Sequence, residues 1–159
     1  MIEKNENLDL AKKDMHVICG TLKLYFRSLS DPLITYASYP KFLNMHKMHS
    51  KNPIQWMDGI QKLISELPLT NRITLKRLFS LLNKVSTNCT TSKMHSQNLS
   101  IVIAPDIMFS KDESPLVALQ DTPIVNGLIR TMIDLSEVIF ADIPDTIPIL
   151  KSDKLKKNF

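Results

Sequence analysis

Several prolines in this chain fall where apolar residues begin to recur every three or four positions. Asn52 and Pro53 precede Met57, Ile60, Ile64 and Leu67. Thr122 and Pro123 precede Val125, Leu128, Met132, Leu135 and Ile139, and Pro40 lies in the first turn of a helix predicted over 39–48. At the first helical position proline gives up an N–H that would have no partner there, and its fixed φ suits the helix. With nine prolines and only three glycines, the pattern favours proline-started helices over a turn-rich β protein.

Three further segments complete the pattern. Ile18, Leu22, Tyr25, Phe26 and Leu29 form an apolar stripe over 15–29, with Asp14 as N-cap and SLSDP closing the segment. From Asn71, the spacing of Leu75, Leu78, Phe79, Leu82 and Val85 predicts a helix that ends near STNCTTS. In SKMHSQNLSIVIAPDIM the run IVIA alone suits a buried strand. Met94, Asn98, Ile101 and Val102 nonetheless keep a helical spacing, so a helix ended by Pro105 is predicted. Ser114 and Pro115 open a short helical turn that Pro123 interrupts. The expected architecture is an all-α bundle of six or so helices, with one domain over 8–140 and a basic, exposed tail over 141–159.

Other chemistries find little support. The net charge of +4 is partly carried by KSDKLKKNF at the C-terminus rather than by a basic stripe interleaved with aromatics, which argues against nucleic acid as a partner. Cys19 and Cys89 are far apart and form no CxxC, so neither a zinc set nor a disulfide framework is expected, and a reducing cytosolic setting fits. The N-terminus lacks the apolar run of a signal peptide, and no stretch is apolar for long enough to span a membrane. His46 and His49 have spacing compatible with shared metal ligation but no third ligand nearby. Nothing orients His16 to activate Cys19. Trp56 reads as an anchor in the core or at its rim. Without a Gly-rich phosphate loop the chain itself is not expected to bind nucleotide, and no cofactor is expected.

The first predicted helix poses a question. His16, Gly20, Lys23 and Arg27 line up beside its apolar stripe, so Lys23 and Arg27 stand one turn apart with like charge, at a cost of roughly 0.2–0.5 kcal/mol. The nearest acid along the helix is Asp31, past its end. One reading is two solvated cations lying over core residues. The other is a pair aimed at an anionic partner, with Gly20 permitting close approach.

HVICGTLKLYFRSLSDPLI resembles the H-V-x-x-x-L-K-x-Y-L-R-x-L-P-x-P-L helix of Rho-type GTPase-activating (RhoGAP) domains. SKMHSQNLSIVIAPDIM resembles their N-K-M-x-x-x-N-L-A-x-x-x-x-P-x-L element, and LPLTNRITLKRLFSLLNKV matches between them in position and type. The resemblance covers roughly residues 8–140. It implies an all-helical module that binds a GTP-bound Rho-family small GTPase and regulates its GTP hydrolysis, not itself an enzyme. Lys23 would lie near the nucleotide of the GTPase, Arg27 would hold the catalytic loop and interface, and Asn98 would hydrogen-bond at the centre of the contact. Pro105 and Lys93 would support that site. On this reading the two cations are placed for a partner rather than for the fold.

Departures from the pattern are Ser92 for asparagine, Ser30 for the first proline and Ser100 for alanine. The family's glycine-flanked arginine finger would precede the first residue here. The sequence contains only Arg27, Arg72, Arg77 and Arg130, three within predicted helices and Arg72 at a helix start without a flanking glycine. The expectation is weak or absent stimulation by this polypeptide. A catalytically inert helical adaptor for a GTPase or another acidic protein is the alternative.

Overall fold

The computed structural model describes residues 14–111 and 114–147. Among them every regular element is helical: α1 Met15–Arg27, α2 Tyr39–His49, α3 Pro53–Ser65, α4 Leu69–Thr87, α5 Cys89–Ser92, α6 Ser96–Ile107, α7 Pro115–Asp134 and α8 Ser136–Ile139. Two predicted caps are in place. The Asp14 carboxylate accepts from the His16 N–H at 2.8 Å. The Asn52 side chain accepts from the Gln55 N–H at 3.3 Å, with Pro53 as the first helical residue.

α7 forms the centre. Its Val125, Leu128, Ile129, Met132 and Ile133 are all buried, and it packs against α2, α4, α6 and α8. Gly127 permits the close approach of α2: a Cβ there would meet His46 Nε2 at 3.1 Å. On the far side, α4 contributes Phe79, which stacks on Phe140 with ring centroids 5.4 Å apart. α3 covers α2 and α8, and α1 packs along α6. The loop between α1 and α2 is tied down from two sides. Ile34 N–H donates to the Ile107 carbonyl at 3.0 Å, and the Asn71 amide donates to the Leu33 carbonyl at 3.0 Å.

Both internal prolines depart from expectation. α6 runs two residues past Pro105, and α7 passes through Pro123 without a break, so a single helix replaces the predicted turn and restart. A proline inside a helix leaves the carbonyl four residues earlier without its partner. Here those carbonyls belong to Ile101 and Leu119, both on exposed residues, where water can take the bond. The apolar residues that follow Pro123 then hold the helix together by burial.

The α1 stripe is also different. Phe26 is the buried residue of this helix and Ile18 is half-buried, whereas Leu22 and Tyr25 are exposed together with Met15, Val17 and Leu24. In the predicted tail, residues 141–147 are fastened to α4: Lys76 donates to the Ile143 carbonyl and Arg77 to the Asp145 carbonyl. Lys76 beside Asp145 also holds that carboxyl below its usual pKa. The KSDKLKKNF stretch and the start of the predicted domain, 8–13, lie outside the described residues.

Trp56 is buried, and its indole N–H donates to His46 Nδ1 at 3.0 Å. That bond needs an unprotonated Nδ1, and burial lowers the His46 pKa from its ordinary 6.5. The unfolded chain therefore binds the proton more readily than the folded one. The stabilisation is complete above pH 6.5 and is lost as pH falls below that value toward the folded pKa. Thermal denaturation between pH 7.5 and 5.5 should show a falling midpoint, and His46→Gln should flatten that slope. Phe79→Ala, which empties a fully buried site, should cost about 3–5 kcal/mol in urea unfolding.

Candidate functional site

The anion that answers Lys23 and Arg27 belongs to the chain itself. Arg27 donates from Nε and Nη2 to Asp106 Oδ1, at 2.9 and 2.6 Å. Lys23 Nζ lies 3.8 Å from Asp106 Oδ2. The Asp106 side chain is fully buried, whereas Lys23 and Arg27 are 37% and 62% exposed. The two charges therefore have a counter-ion within the fold, which sequence reasoning did not name. Breaking a fully buried ion pair costs about 3–5 kcal/mol, an upper bound here because Arg27 is half in water. That scale still exceeds the repulsion between the two cations. Asp31, the acid nearest along the chain, instead accepts the Tyr36 N–H at 2.8 Å.

Asp106 escaped notice in the sequence although its signal is there. It is the lone charge in IVIAPDIM, and its spacing from Leu99 and Ile103 places it on the buried stripe of α6. An acid on an apolar stripe must find a cation or lose its charge, and α1 supplies two.

The other predicted residues form a second group on the same helix. The Asn98 amide donates to the Lys93 carbonyl at 3.1 Å, and Asn98 itself is exposed. Lys93 ends α5 with φ of 56°, in the left-handed region, and its N–H donates to the Cys89 carbonyl at 2.8 Å. This turn reverses the chain into α6. Asn98 and Asp106 are eight residues apart, about 12 Å along the axis and about 80° around it. The structure therefore joins Lys23 with Arg27, and Lys93 with Asn98, as two clusters near opposite ends of α6.

Pro105, next to Asp106, is exposed. With Tyr39, Ile101, Ala118 and Val125 it lines a groove of about 230 Å³ between α6 and α7. In that groove the Tyr39 hydroxyl donates to Asp121 Oδ2 at 3.1 Å, and its pKa is raised by burial first and by Asp121 second.

The substituted serines are accommodated. Ser100 is buried, with its hydroxyl donating to the Gln97 carbonyl at 2.8 Å. Ser92 accepts from the Met94 N–H at 3.2 Å. Ser30 is exposed. His49 pairs with Gln55 at 3.1 Å, and exposed His95 precedes α6 without a side-chain capping bond. Among the described residues no group of three or more His, Cys, Asp or Glu could hold a metal, and no helix is long and apolar enough to cross a membrane. All four arginines of the sequence lie on helices: Arg27 on α1, Arg72 and Arg77 on α4, and Arg130 on α7.

The domain is all-helical, with Lys23 and Arg27 gathered on Asp106 near one end of α6 and Lys93 with Asn98 near the other. Residues 1–112 match the RhoGAP domain model, and the chain belongs to that family. It is 34% identical over 139 residues to the Rho GTPase-activating protein gacY of Dictyostelium discoideum, covering 87% of this chain and 19% of that protein. It is 35% identical over 127 residues to human Rho GTPase-activating protein 24, covering 80% and 17%. The chain thus spans less than a fifth of either relative. Among solved structures, the BH domain from GRAF, the GTPase regulator associated with focal adhesion kinase, superposes with a TM-score of 0.74 at 29% identity, over 84% of this chain and 70% of that one. Human Rho GTPase activating protein 15 gives 0.76 at 29% identity, over 85% and 64%.

The left-handed backbone at position 93 makes a sharp prediction. Lys93→Gly removes the side-chain cost of that conformation and should raise stability by about 1 kcal/mol in chemical denaturation. Retention of the Asn98 amide resonance position in NMR spectra would show that the turn itself is preserved.

Proposed function

We propose that the chain binds a GTP-loaded Rho-family small GTPase in the cytoplasm through Lys23, Arg27 and Asn98, using a domain that spans 8–140. Membership of the RhoGAP family supports the partner class. The observation that carries the site is the gathering of the Lys23 and Arg27 head groups on buried Asp106 of α6, the helix whose outward face presents Asn98. Lysine offers a point charge toward phosphate, guanidinium fixes several oxygens at once, and an amide both donates and accepts.

Stimulation of hydrolysis is a separate matter. An arginine that reaches the transferred phosphoryl group is worth about 10³–10⁵ in rate. Arg27 is engaged with Asp106, Arg77 with the Asp145 carbonyl, and Arg130 pairs with Asp134 on its own helix. Arg72 Nε is buried on α4. No arginine of these 159 residues stands in a glycine-flanked loop, which favours a second reading of this polypeptide as a binding module without its own catalytic group.

Single-turnover GTP hydrolysis with a panel of Rho-type GTPases separates the two. The expected result is measurable binding with little acceleration. Lys23→Ala and Asn98→Ala should each weaken binding about tenfold or more, equivalent to about 1.4 kcal/mol, while deletion of 151–159 leaves it intact. Acceleration equal to that of an active family member would show that one of the four arginines, or another group, performs the chemistry.

A further inference from the structure

We infer that Asp106 is a positioning residue for the partner contact, acting through Arg27: its buried carboxylate occupies one edge of the guanidinium and aims the opposite edge outward. This deepens the GTPase-binding reading and rests on it.

Nε and Nη2 lie on the same edge of the planar guanidinium, and both donate to the single oxygen Oδ1, at 2.9 and 2.6 Å. The remaining donors point away from the carboxylate on a side chain that is 62% exposed. A guanidinium is a rigid fork, so fixing one edge fixes the direction of the other. The anchor is itself immobile, because Asp106 sits on the buried stripe of α6 among Leu99, Ile103 and Ile107. An unanchored arginine would lose rotamer freedom on binding. Here that ordering is complete before the partner arrives.

Lys23 is treated differently by the same carboxylate. Its Nζ lies 3.8 Å from Oδ2, beyond hydrogen-bond distance, and buried Oδ2 has no hydrogen-bond partner. Charge alone tethers it, and it remains able to turn toward a phosphate. Asp106 therefore fixes one cation, tethers the other and reduces the pair's charge from +2 to +1. Partner groups suited to this surface are carbonyl or carboxylate oxygens for the Arg27 edge and an anion for Lys23.

The test uses the whole chain and a Rho-type GTPase loaded with a non-hydrolysable GTP analogue. Asp106→Asn keeps the shape of the anchor and removes its charge. It should weaken binding about tenfold in the wild-type background and less than twofold in Arg27→Ala. Equal losses in both backgrounds would mean a general structural effect, and unchanged or tighter binding would mean that Asp106 only opposes the partner. Either result overturns the proposal.

The Arg27 Nε–H resonance in 15N NMR spectra gives a readout that needs no partner. It should be protected from exchange in the wild type and lose that protection in Asp106→Asn. An unprotected wild-type signal overturns the anchor even if a GTPase binds. Failure of every GTPase to bind, with the signal protected, overturns the GTPase reading and the partner role built on it while supporting the anchor. Should Asp106→Asn fail to fold, Arg27→Lys replaces it. Lysine keeps the charge pair but has no second edge, so it should bind as weakly as Arg27→Ala, and wild-type binding would overturn the proposal.

Discussion

A carboxylate with no access to water needs positive charge within reach, and in this protein both available cations come from another helix. Asp106 on α6 holds Arg27 through two hydrogen bonds and Lys23 through space. The requirement acts on α1 as much as on Asp106. Phe26 is the one buried residue of α1, and Met15, Val17, Leu24 and Tyr25 on the same helix are exposed. With so little apolar surface committed to the core, the placement of α1 depends on Phe26 and on a polar attachment at its C-terminal end. Fold and surface chemistry therefore share the same two side chains.

α6 is the platform on which these features are arranged. At one end the left-handed Lys93 turns the chain and lends its carbonyl to Asn98. At the other, Ile34 donates to the Ile107 carbonyl and joins the helix to the loop that leaves α1. Between them the inward face carries Leu99, Ser100, Ile103 and Asp106 against the core. The outward face carries Asn98, Ile101, Val102 and Pro105. Because α6 packs against the stretch of α7 that carries buried Val125, Leu128, Ile129, Met132 and Ile133, the register of this face is set by the core.

Most helices were legible in the sequence because their caps and stripes are local facts. Asn52 with Pro53 opens α3 in the predicted place, and Leu75, Leu78, Phe79 and Leu82 are the buried residues expected of α4. The misreadings concern what a residue meets across space. Pro105 and Pro123 read as breaks because sequence does not reveal that the carbonyls they orphan belong to exposed residues. Leu22 and Tyr25 have core spacing, yet both are exposed. Lys23 and Arg27 were singled out for the right reason, an uncompensated pair of charges, but their compensation lies 79 positions away from Arg27. The acid at 106 could have been inferred from its place on an apolar stripe, whereas its partner could not be chosen without the packing of α1 on α6.

Pro105 leaves one more mark on the exposed wall of α6. Because proline has no N–H to donate, the carbonyl of Ile101 keeps a lone pair that an uninterrupted helix would have consumed. The residue is exposed and borders the groove between α6 and α7. An otherwise oily ridge thus offers a main-chain acceptor halfway along its length, and this directional feature would survive any exchange of the Ile101 side chain.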